Sequence, residues 1–308
     1  MASPFHAGER AVQTRVGVRA EADQVGRIIG GAIPPAVQAF LLRQRLVIVA
    51  SIDADGNVWA SPLAGRPGFI YALDPHTVQI DAQLPPGDPI GESLHAGAPV
   101  GLLIIDLANR ERIRLNGRAA PQPDGTLQVQ IEEAFGNCQK YIQARVVDDA
   151  SEAAFAGVTA APDALATPAT TLSDEQQRWI ASADTFFIAS AHPERGADAS
   201  HRGGPPGFVQ VLDGRRLRFP DYAGNNMFQT LGNLEVDPRA GLVFVDFETG
   251  RTLQLTGRAR VIWDGPEVER VPGAERLVEF EIVAVVELAR LDVPHWRFVG
   301  YSPFLPRE

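Results

Sequence analysis

The sequence predicts a mainly β protein made of two tandem copies of one small antiparallel barrel. Three observations predict this. Four sequence blocks recur in the same order at an almost constant offset, each copy consists of short β-rich runs separated by turn residues, and 308 residues exceed the usual size of one domain. Each unit is also far longer than the 20–50 residues of a solenoid repeat, so each unit is large enough to be a domain.

The repeat is clearest in the block Ala60–Ile70, which recurs as Ala199–Val209. Phe69 and Phe208 lie 139 residues apart, and two later blocks recur at an offset of 140. The other repeated pairs are Ile48–Ser51 with Phe187–Ser190, Gly101–Asp106 with Gly241–Asp246, and Leu115–Ala119 with Leu255–Ala259. Four blocks in conserved order indicate duplication rather than coincidence.

Within each copy, about six short strands joined by turns are typical of a closed barrel, because closure leaves no exposed sheet edge. In the first copy the predicted strands are Leu46–Ile52, Val58–Ala60, Phe69–Leu73, Val78–Ala82, Val100–Asp106 and Arg112–Ala119. In the second copy they are Thr185–Ala191, Gly207–Leu212, Arg216–Phe219, Ala240–Asp246 and Thr252–Ile262. One helix is predicted inside each copy, at Pro89–Ala96 and Asn226–Leu234.

These patterns divide the chain into a helical extension (1–33), a first barrel (34–149), a linker rich in Ala, Pro and Thr (150–172) and a second barrel (173–308). Pro34 and Pro35 can open a helix over Ala36–Arg43, since proline fits the first helical turn. Ser173 is a candidate N-cap for a helix over 174–182. The segment 5–29 is predicted to pack across a barrel, and a mobile arm is the alternative.

Composition excludes several classes of function. The formal net charge of −10 disfavours a nucleic-acid partner, which requires a basic surface. Cys138 is the single cysteine, so neither an intrachain disulfide nor a multi-cysteine metal site can form, and no metal site is predicted. No apolar run approaches the ~20 residues that span a bilayer, and the N-terminus lacks the apolar core of a signal peptide. We therefore expect a cytoplasmic protein that does not bind membranes.

The two copies differ at the place where a ligand could be held. The first copy has the uncharged stretch Pro62–Gly65, whereas the second has His201, Arg202, Gly203 and Gly204 after Ser200. An arginine beside hydroxyl and backbone N–H donors suits a phosphate, because its guanidinium forms paired, charge-assisted hydrogen bonds. The alternative is that Arg202 is a solvated loop residue.

Two further polar stretches are candidates for the same site. Asn225 or Asn226 can cap the helix that carries Thr230 and Asn233, and free N–H groups at a helix N-terminus attract anions. A cap without any ligand is the alternative. At the end of the first copy, Lys140 and Tyr141 place the only lysine beside an aromatic ring, and a solvated lysine at a helix end is the alternative there.

These stretches resemble the pyridoxamine 5′-phosphate oxidase-related FMN-binding proteins, in particular a two-copy branch. The resemblance rests on Phe5–Glu9, Phe135–Ile142, Ser200–Phe208 and Asn225–Leu234 with Pro238. It implies two tandem FMN-binding split β-barrels that form an intramolecular pseudo-dimer with peripheral helices.

The resemblance further implies that the second barrel holds the FMN phosphate and that the first barrel completes the pocket. The implied cofactor-binding residues are Ser200, His201, Arg202, Gly203, Asn225, Asn226, Thr230, Asn233, Lys140 and Tyr141. Leu63 stands in the sister pocket where Arg202 stands in the other, so that pocket is expected to be degenerate and one FMN to bind per chain.

The expected function is that of an FMN-dependent oxidoreductase acting on an unidentified small substrate. A flavin-binding protein without turnover is a second interpretation, and a haem- or deazaflavin-binding split barrel is a third. No G-x-G-x-x-G follows a strand, so an external reductant is expected as partner. No catalytic acid or base is assigned, and a homodimer of the two-barrel chain stays open.

Overall fold

The computed structural model describes residues 3–91, 93–148, 169–288 and 295–306. Strands of the first repeat are β1 (Leu46–Ile52), β2 (Val58–Ala64), β3 (Ile70–Asp74), β4 (Thr77–Ile80), β5 (Pro99–Asp106), β6 (Glu111–Pro121), β7 (Leu127–Gly136) and β8 (Ala144–Val147). Strands of the second are β9 (Thr185–His192), β10 (Gly196–Gly203), β11 (Gln210–Asp213), β12 (Arg216–Tyr222), β13 (Arg239–Val245), β14 (Thr252–Ile262), β15 (Ala274–Leu288) and β16 (Trp296–Gly300). Helices are α1 (Ala7–Arg15), α2 (Arg19–Val25), α3 (Pro35–Leu41), α4 (Asp174–Ser182), α5 (Gln229–Val236) and α6 (Pro266–Glu269), with one 3₁₀ turn at Gly26–Ile28.

The two repeats fold into sheets of identical topology. The first seven-stranded antiparallel sheet has the order β2-β1-β5-β6-β7-β4-β3, and the second has the order β10-β9-β13-β14-β15-β12-β11. Both carry the same register shift in the long hairpin, at Asn116/Gly117 and at Thr256/Gly257. Since β2 and β3 stand at opposite ends of the hydrogen-bonded order, each barrel is split between them. The fold is the predicted pair of tandem split barrels.

Full closure of each barrel, which the strand pattern predicted, is therefore wrong. The exposed edge is covered instead by the other repeat. Strand β2 lies against β13 and β14, and β10 lies against β5 and β6. Each repeat thus protects the open edge of the other, so that no unpaired edge of β2 or β10 is left at the surface.

Most predicted strands form, but three long ones, β7, β10 and β15, and the short β8 and β16 were missed. Strands β1 and β14 have the predicted bounds. Strand β10 was missed because its sequence lacks β-branched and aromatic residues, and cross-strand pairing with β9 overrides that low propensity. Strand β15 does alternate, with Val278, Phe280 and Ile282 buried. The predicted helix at 89–96 is wrong, since its described residues form turns.

Three apolar clusters organise the interior. One core fills each barrel, and a third lies between the barrels. The third combines equivalent strands of both repeats, for example Ile48 and Ala50 of β1 with Phe187 and Ala189 of β9. Burial of apolar surface contributes about 25 cal/mol per Å². The third cluster therefore joins the two barrels into one structural unit. Strands β8 and β16 add a short sheet across the junction.

The barrels meet most closely where β10 crosses β5 and β2 crosses β13. A Cβ atom built on Gly101 would lie 2.6 Å from the carbonyl oxygen of Ala197 and 2.6 Å from the Cα of Asp198. Its counterpart Gly241 would meet the carbonyl oxygen of Val58 at 2.5 Å. No real Cβ tolerates such distances from backbone atoms. Both glycines of the repeated block are therefore required by the crossing of the two barrels.

The N-terminal segment packs against the second barrel, in agreement with the prediction that it packs across a barrel. Helix α1 lies on α5, and the side-chain amide of Gln13 donates a 2.9 Å hydrogen bond to the carbonyl of Met227. Phe5 joins a small apolar cluster with Met227 and Phe135. Gly30 then bridges to Ala134 of the first barrel. The extension therefore touches both repeats.

Most of the predicted linker lies outside the described residues. The end of the linker, 169–172, belongs structurally to the second barrel, because Ala169 bridges to Val285 and Leu172 is buried in its core. Ser173 caps α4 as predicted, and Gln176 completes a capping box. No helix among the described residues is long and apolar enough to cross a membrane.

Gly101→Ala is expected to lower the free energy of unfolding by about 1–3 kcal/mol, because the added methyl group forces β10 away from β5. Urea denaturation measures the effect. Gly136→Ala is the matched control, since nothing lies within 4 Å of its would-be Cβ. Equal midpoints for the two variants would contradict the close crossing of the barrels.

Candidate functional site

An open cleft lies at the junction of the two repeats. Its space, including the part that opens to solvent, is about 870 Å³. Walls come from β6 and the loop after β7 in the first repeat, and from β10, β12 and the start of α5 in the second. The predicted residues that line it are Ser200, His201, Arg202, Gly203, Asn225, Asn226, Thr230, Lys140 and Tyr141.

One face of β10 presents a row of polar side chains to this junction. Side chains alternate along a strand, so Asp198, Ser200 and Arg202 share a face. Arg114 of β6 reaches across from the first repeat, donating to Asp198 at 2.8 Å and to the hydroxyl of Ser200. Ser200 also bonds the Thr230 hydroxyl at 2.9 Å. A guanidinium from one barrel is thereby joined to two hydroxyls of the other.

Arg202 is anchored by Asp221. Its Nη1 donates to Asp221, which Arg276 also approaches at 3.3 Å. The Nε–H of Arg202 is buried and has no partner among the described residues. Arg202 is thus neither a solvated loop residue nor fully satisfied, and part of its donor capacity remains for a ligand.

His201 points to the opposite face of β10 and acts on a second arginine. Arg112 Nη1 donates to the His201 Nδ1 at 2.9 Å, which places the imidazole proton on Nε2. Burial, and after it the charge of Arg112, lowers the pKa of His201 well below its usual value, so the ring is neutral. Its ring packs on Phe187 of the inter-barrel core. His201 therefore orients Arg112.

Arg112 is held in an unfavourable environment for a cation. Burial, and to a lesser extent the charges of Arg114 and Arg202, lower its pKa to about 10. The nearby Cys138 has the opposite effect. The Nε–H groups of Arg112 and Arg114 are buried without partners among the described residues. A bound anion would relieve both the repulsion and the unpaired donors.

The loop after β7 crosses from the first repeat to close one side of the cleft. Tyr141 donates from its hydroxyl to the carbonyl of Ala223 at 3.0 Å, and its ring lies 5.1 Å from that of Tyr222. Gly203 permits this crossing, because a side chain there would collide with the Tyr141 backbone. Gly203 therefore lines the cleft and also lies directly against the backbone of the other repeat.

The side chain of Gln143 holds this loop in place from inside the protein. It is fully buried, and its amide N–H groups reach the carbonyls of Tyr141, Asp184 and Gly204 at 3.2–3.4 Å. Its oxygen accepts from the backbone of Ser302 at 2.8 Å. Four chain segments therefore converge on one side chain behind the cleft. Lys140 lines the cleft itself, with its ammonium 5.9 Å from the Phe304 ring.

The start of α5 faces the cleft without a side-chain cap. The prediction that Asn225 or Asn226 caps the helix is wrong, because the helix begins at Gln229 with Phe228 as N-cap. Asn225 instead accepts from the Met227 N–H at 3.1 Å and donates to Asn137 at 3.1 Å. The uncapped N–H groups of α5 add partial positive charge on the side of Thr230.

Backbone strain is concentrated around the cleft. Tyr141, Asn226 and Phe228 all line it and have φ values of 67°, 63° and 61°. Asparagine adopts this left-handed conformation readily, but tyrosine and phenylalanine do so rarely. Strain of this kind persists where the surrounding structure imposes it, and it is typical of functional sites.

Asn233 does not line the cleft. Its amide donates to the Ser190 hydroxyl at 3.0 Å, and its oxygen contacts the Nε2 of His6 at 3.0 Å. One turn further along α5 than Thr230, the side chain faces α1 instead of the ligand space. Asn233 therefore holds the N-terminal extension, and it is removed from the candidate set.

The cleft carries more basic than acidic side chains. Its walls carry four basic side chains, Arg112, Arg114, Arg202 and Lys140, against the carboxylate of Asp221. A phosphate monoester carries ~1.5–2 negative charges at pH 7 and accepts several hydrogen bonds. The residues present thus fit a phosphorylated ligand, and Tyr141, Tyr222 and Phe228 supply aromatic surface for a planar ring. Within the described ranges, no group of acidic, histidine or cysteine side chains could hold a metal ion.

The equivalent position in the first barrel is already filled. Leu63 and Gln254 stand where the cleft has Arg202 and Arg114, and Leu63 is buried. Asp88 accepts from the Ser61 hydroxyl at 2.7 Å and from Gln254 at 3.1 Å. A carboxylate of the chain itself thus meets the hydroxyl that corresponds to Ser200. Burial raises the pKa of Asp88 to about 6.

Sequence analysis missed Arg112 and Arg114. The signal was present, because the repeat aligns them with Thr252 and Gln254 at the same offset of 140 that relates the neighbouring block. The comparison was confined to the stretch around Arg202. Nothing in the sequence marked Asp221, since its role depends on the pairing of β12 with β15.

A family model described as pyridoxamine 5′-phosphate oxidase matches residues 33–159 and again residues 172–299. The two matches begin 139 residues apart, at 33 and 172, which is the offset of the repeat. Each repeat is therefore recognised separately as a unit of the same family. No curated protein matches the chain.

Several solved structures are similar to part of the chain. A putative pyridoxamine 5′-phosphate oxidase from Lactobacillus delbrueckii has 15% identity and a TM-score of 0.33, covering 38% of this chain and 95% of its own. An FMN-binding protein from Syntrophomonas wolfei has 9% identity and a TM-score of 0.29, covering 38% and 86%. HupZ of Group A Streptococcus has 12% identity and a TM-score of 0.33, covering 42% and 98%.

Inorganic phosphate is expected to raise the Tm of the ligand-free protein, because an anion that binds only the folded state stabilises it. Arg112→Met should abolish this rise. At pH 7 Arg112 is charged, so removing it also removes a buried, repelled cation, and the Tm without phosphate should be unchanged or higher. Differential scanning calorimetry with chloride at equal ionic strength as control measures both. A full phosphate response in the variant would contradict the anion site.

Proposed function

Because the chain belongs to the pyridoxamine 5′-phosphate oxidase family through both of its repeats, we propose that it is an FMN-dependent oxidoreductase with one FMN site per chain. The observation that carries the proposal is that Arg112, Arg114 and Arg202 all line the cleft and that each has a buried Nε–H group without a partner among the described residues. Flavin supplies hydride or electron transfer when bound, and the protein supplies binding and electrostatics.

In this proposal the phosphate is bound by residues of both repeats. Arg202, Ser200 and Thr230 come from the second barrel, and Arg112 and Arg114 come from the first. Burial at the inner end of the cleft strengthens each charge-assisted hydrogen bond, since fewer water molecules compete. The wall of Tyr141, Tyr222 and Phe228 would cover a planar ring. Burial raises the pKa of Tyr222 to about 12, so its hydroxyl stays neutral and donates a proton only in a hydrogen bond.

The charge of the cleft also bears on the substrate. The cofactor phosphate would neutralise most of the excess positive charge, which leaves Lys140 near the opening. The proposed substrate is therefore a small molecule without a phosphate group of its own. The electrons come from an external reductant, such as NADPH in solution.

Arg202→Leu, which reproduces the residue of the sister position, is expected to weaken FMN binding about 10- to 100-fold, as expected for loss of a charged hydrogen bond. Folding should survive, because Arg276 still pairs with Asp221. Isothermal titration calorimetry gives the affinity, with one FMN per chain expected. Arg118→Leu is the control, since Arg118 lies on β6 beyond the register shift and is 40% exposed. Equal affinities for the two variants, or two FMN per chain, would refute this site.

Turnover separates an oxidoreductase from a protein that only stores flavin. The FMN-loaded chain should lose its flavin absorbance under anaerobic NADPH and regain it when air is admitted. The matched control is free FMN at the same concentration, which sets the uncatalysed rate. A protein that binds FMN but reacts no faster than free FMN would disprove the enzymatic part of the proposal while leaving the binding site intact.

A further inference from the structure

The N-terminal extension lies behind the cleft and contacts helix α5, which forms part of the cleft wall. Helices α1 and α5 cross at Gly8 and Gly232, where a Cβ atom built on Gly8 would lie 2.2 Å from the carbonyl oxygen of Gly232. A Cβ atom built on Gly232 would lie 2.6 Å from the backbone nitrogen of Glu9. No side chain fits at either place, so the backbones of the two helices lie in direct contact. The position of α5 therefore depends on that of α1.

A hydrogen bond from the N-cap of α1 adds a second contact with α5. The Nδ1 of His6 accepts the N–H of Gly8 at 3.1 Å, so the ring proton is on Nε2, which donates to the Asn233 oxygen at 3.0 Å. Burial lowers the pKa of His6 to about 4, so the ring is neutral at pH 7. Asn233 in turn donates to Ser190 of β9. Hydrogen bonds thus connect α1, α5 and the second barrel.

Gln13 holds the turn that leads into α5. Its side chain is fully buried, and Arg19 donates to its oxygen at 2.6 Å, which leaves its N–H group to donate to the carbonyl of Met227 at 2.9 Å. The N–H of Met227 donates to Asn225 at 3.1 Å. The side chain of Met227 is buried in a cluster with Phe5. Met227 is thus fixed at three places, and the extension supplies two of them.

The turn that Met227 occupies is strained. Met227 stands between Asn226 and Phe228, whose φ values of 63° and 61° are left-handed. Such conformations are rare for phenylalanine and persist where the surrounding structure imposes them. Helix α5 begins directly after this turn, and Thr230 in its first turn bonds the hydroxyl of Ser200 at 2.9 Å. The extension therefore constrains the turn from which the phosphate side of the cleft starts.

Helix α1 packs on the repeat that carries the basic cleft. In the first repeat, residues 90–97 stand at the offset of 139 from α5, and those that the structure describes form turns and irregular structure instead of a helix. That repeat carries the filled position around Asp88. The supporting extension is thus found beside the helix and the arginines of the cleft.

We propose that the N-terminal extension is a positioning element of the cofactor site, with Gln13 as its positioning residue. Through Met227, Gln13 holds the start of α5 so that Thr230 and the free N–H groups of the first helical turn face the phosphate. The inference rests on the proposed FMN site. None of the described residues of the extension lines the cleft, so its effect on FMN passes through α5.

Gln13→Glu removes the N–H donor and keeps both the shape of the side chain and the acceptor for Arg19. FMN should bind about tenfold more weakly, because the turn before α5 loses its hydrogen bond. Riboflavin has the same ring system without the phosphate and should lose less, so the ratio of the two affinities should fall about fivefold. Quenching of flavin fluorescence at pH 7.5 gives both dissociation constants for the full chain.

Gln44→Glu is the matched control. Gln44 is also buried, and its amide donates to the carbonyl of Phe40 at 2.9 Å, but it lies after α3 in the first barrel and outside the cleft lining. Both variants lose the same type of hydrogen bond, so a purely structural effect would lower the Tm of both. Only Gln13→Glu should change flavin binding. Equal FMN affinities for the two variants, or an unchanged ratio of the two flavins in Gln13→Glu, would overturn the proposal.

Arg19→Leu weakens the same contact without placing a carboxylate in the interior. The Arg19 side chain is 34% exposed, so this variant should fold, while the Gln13 amide loses the donor that orients it. FMN affinity should fall about threefold. Arg10→Leu is the control on the same extension, since Arg10 is exposed on α1. Equal FMN affinities for these two variants would contradict the role of Gln13.

The unchanged chain separates this inference from the proposed function. If it binds FMN no more tightly than riboflavin, the phosphate site is wrong and the inference is wrong with it. If it prefers FMN and the full preference persists in both Gln13→Glu and Arg19→Leu, the proposed function stands and only the role of the extension is refuted.

Discussion

The close crossing of the two barrels at Gly101 and Gly241 is the constraint on which the rest of the structure depends. Backbone lies on backbone there, so the two glycines set the distance between β5 and β10 and between β13 and β2. At that distance the open edge of each split barrel is covered by the other. The same approach lets Arg114 of one repeat reach the row of polar side chains on β10 of the other. Edge protection and site assembly therefore share one physical cause.

Much of this architecture was predictable from the sequence, because it repeats. Gly101 and Gly241 occupy the same place in matching blocks, and the strands around them are strongly apolar. What failed were features set by contacts between repeats. Strand β10 has almost no intrinsic β propensity, and only its pairing with β9 and its burial against β5 make it a strand. No local pattern could show that.

The candidate site, too, could be predicted only in part. Several site residues could be predicted because they stand in stretches that differ between the copies or resemble a known family. They are Ser200, Arg202, Thr230, Lys140 and Tyr141. The exchange of Arg112 and Arg114 for Thr252 and Gln254 was equally visible, but its meaning depends on β6 lying across from β10. Asn233 belongs to the same polar stretch as Thr230, but its side chain contacts Ser190 and His6 instead of lining the cleft.

The cleft and the equivalent position in the first barrel differ because each has a different buried charge to satisfy. In the first barrel the buried charge is the carboxylate of Asp88, and neutral donors of the chain, from Ser61, Gln254 and the backbone of Ile90, can satisfy it. In the cleft the buried charges include the guanidinium groups of Arg112 and Arg114, and burial together with nearby arginine charges lowers the pKa of both. The carboxylate in the first barrel is thus satisfied by donors of the fold, whereas the cleft keeps buried guanidinium N–H groups that have no partner among the described residues.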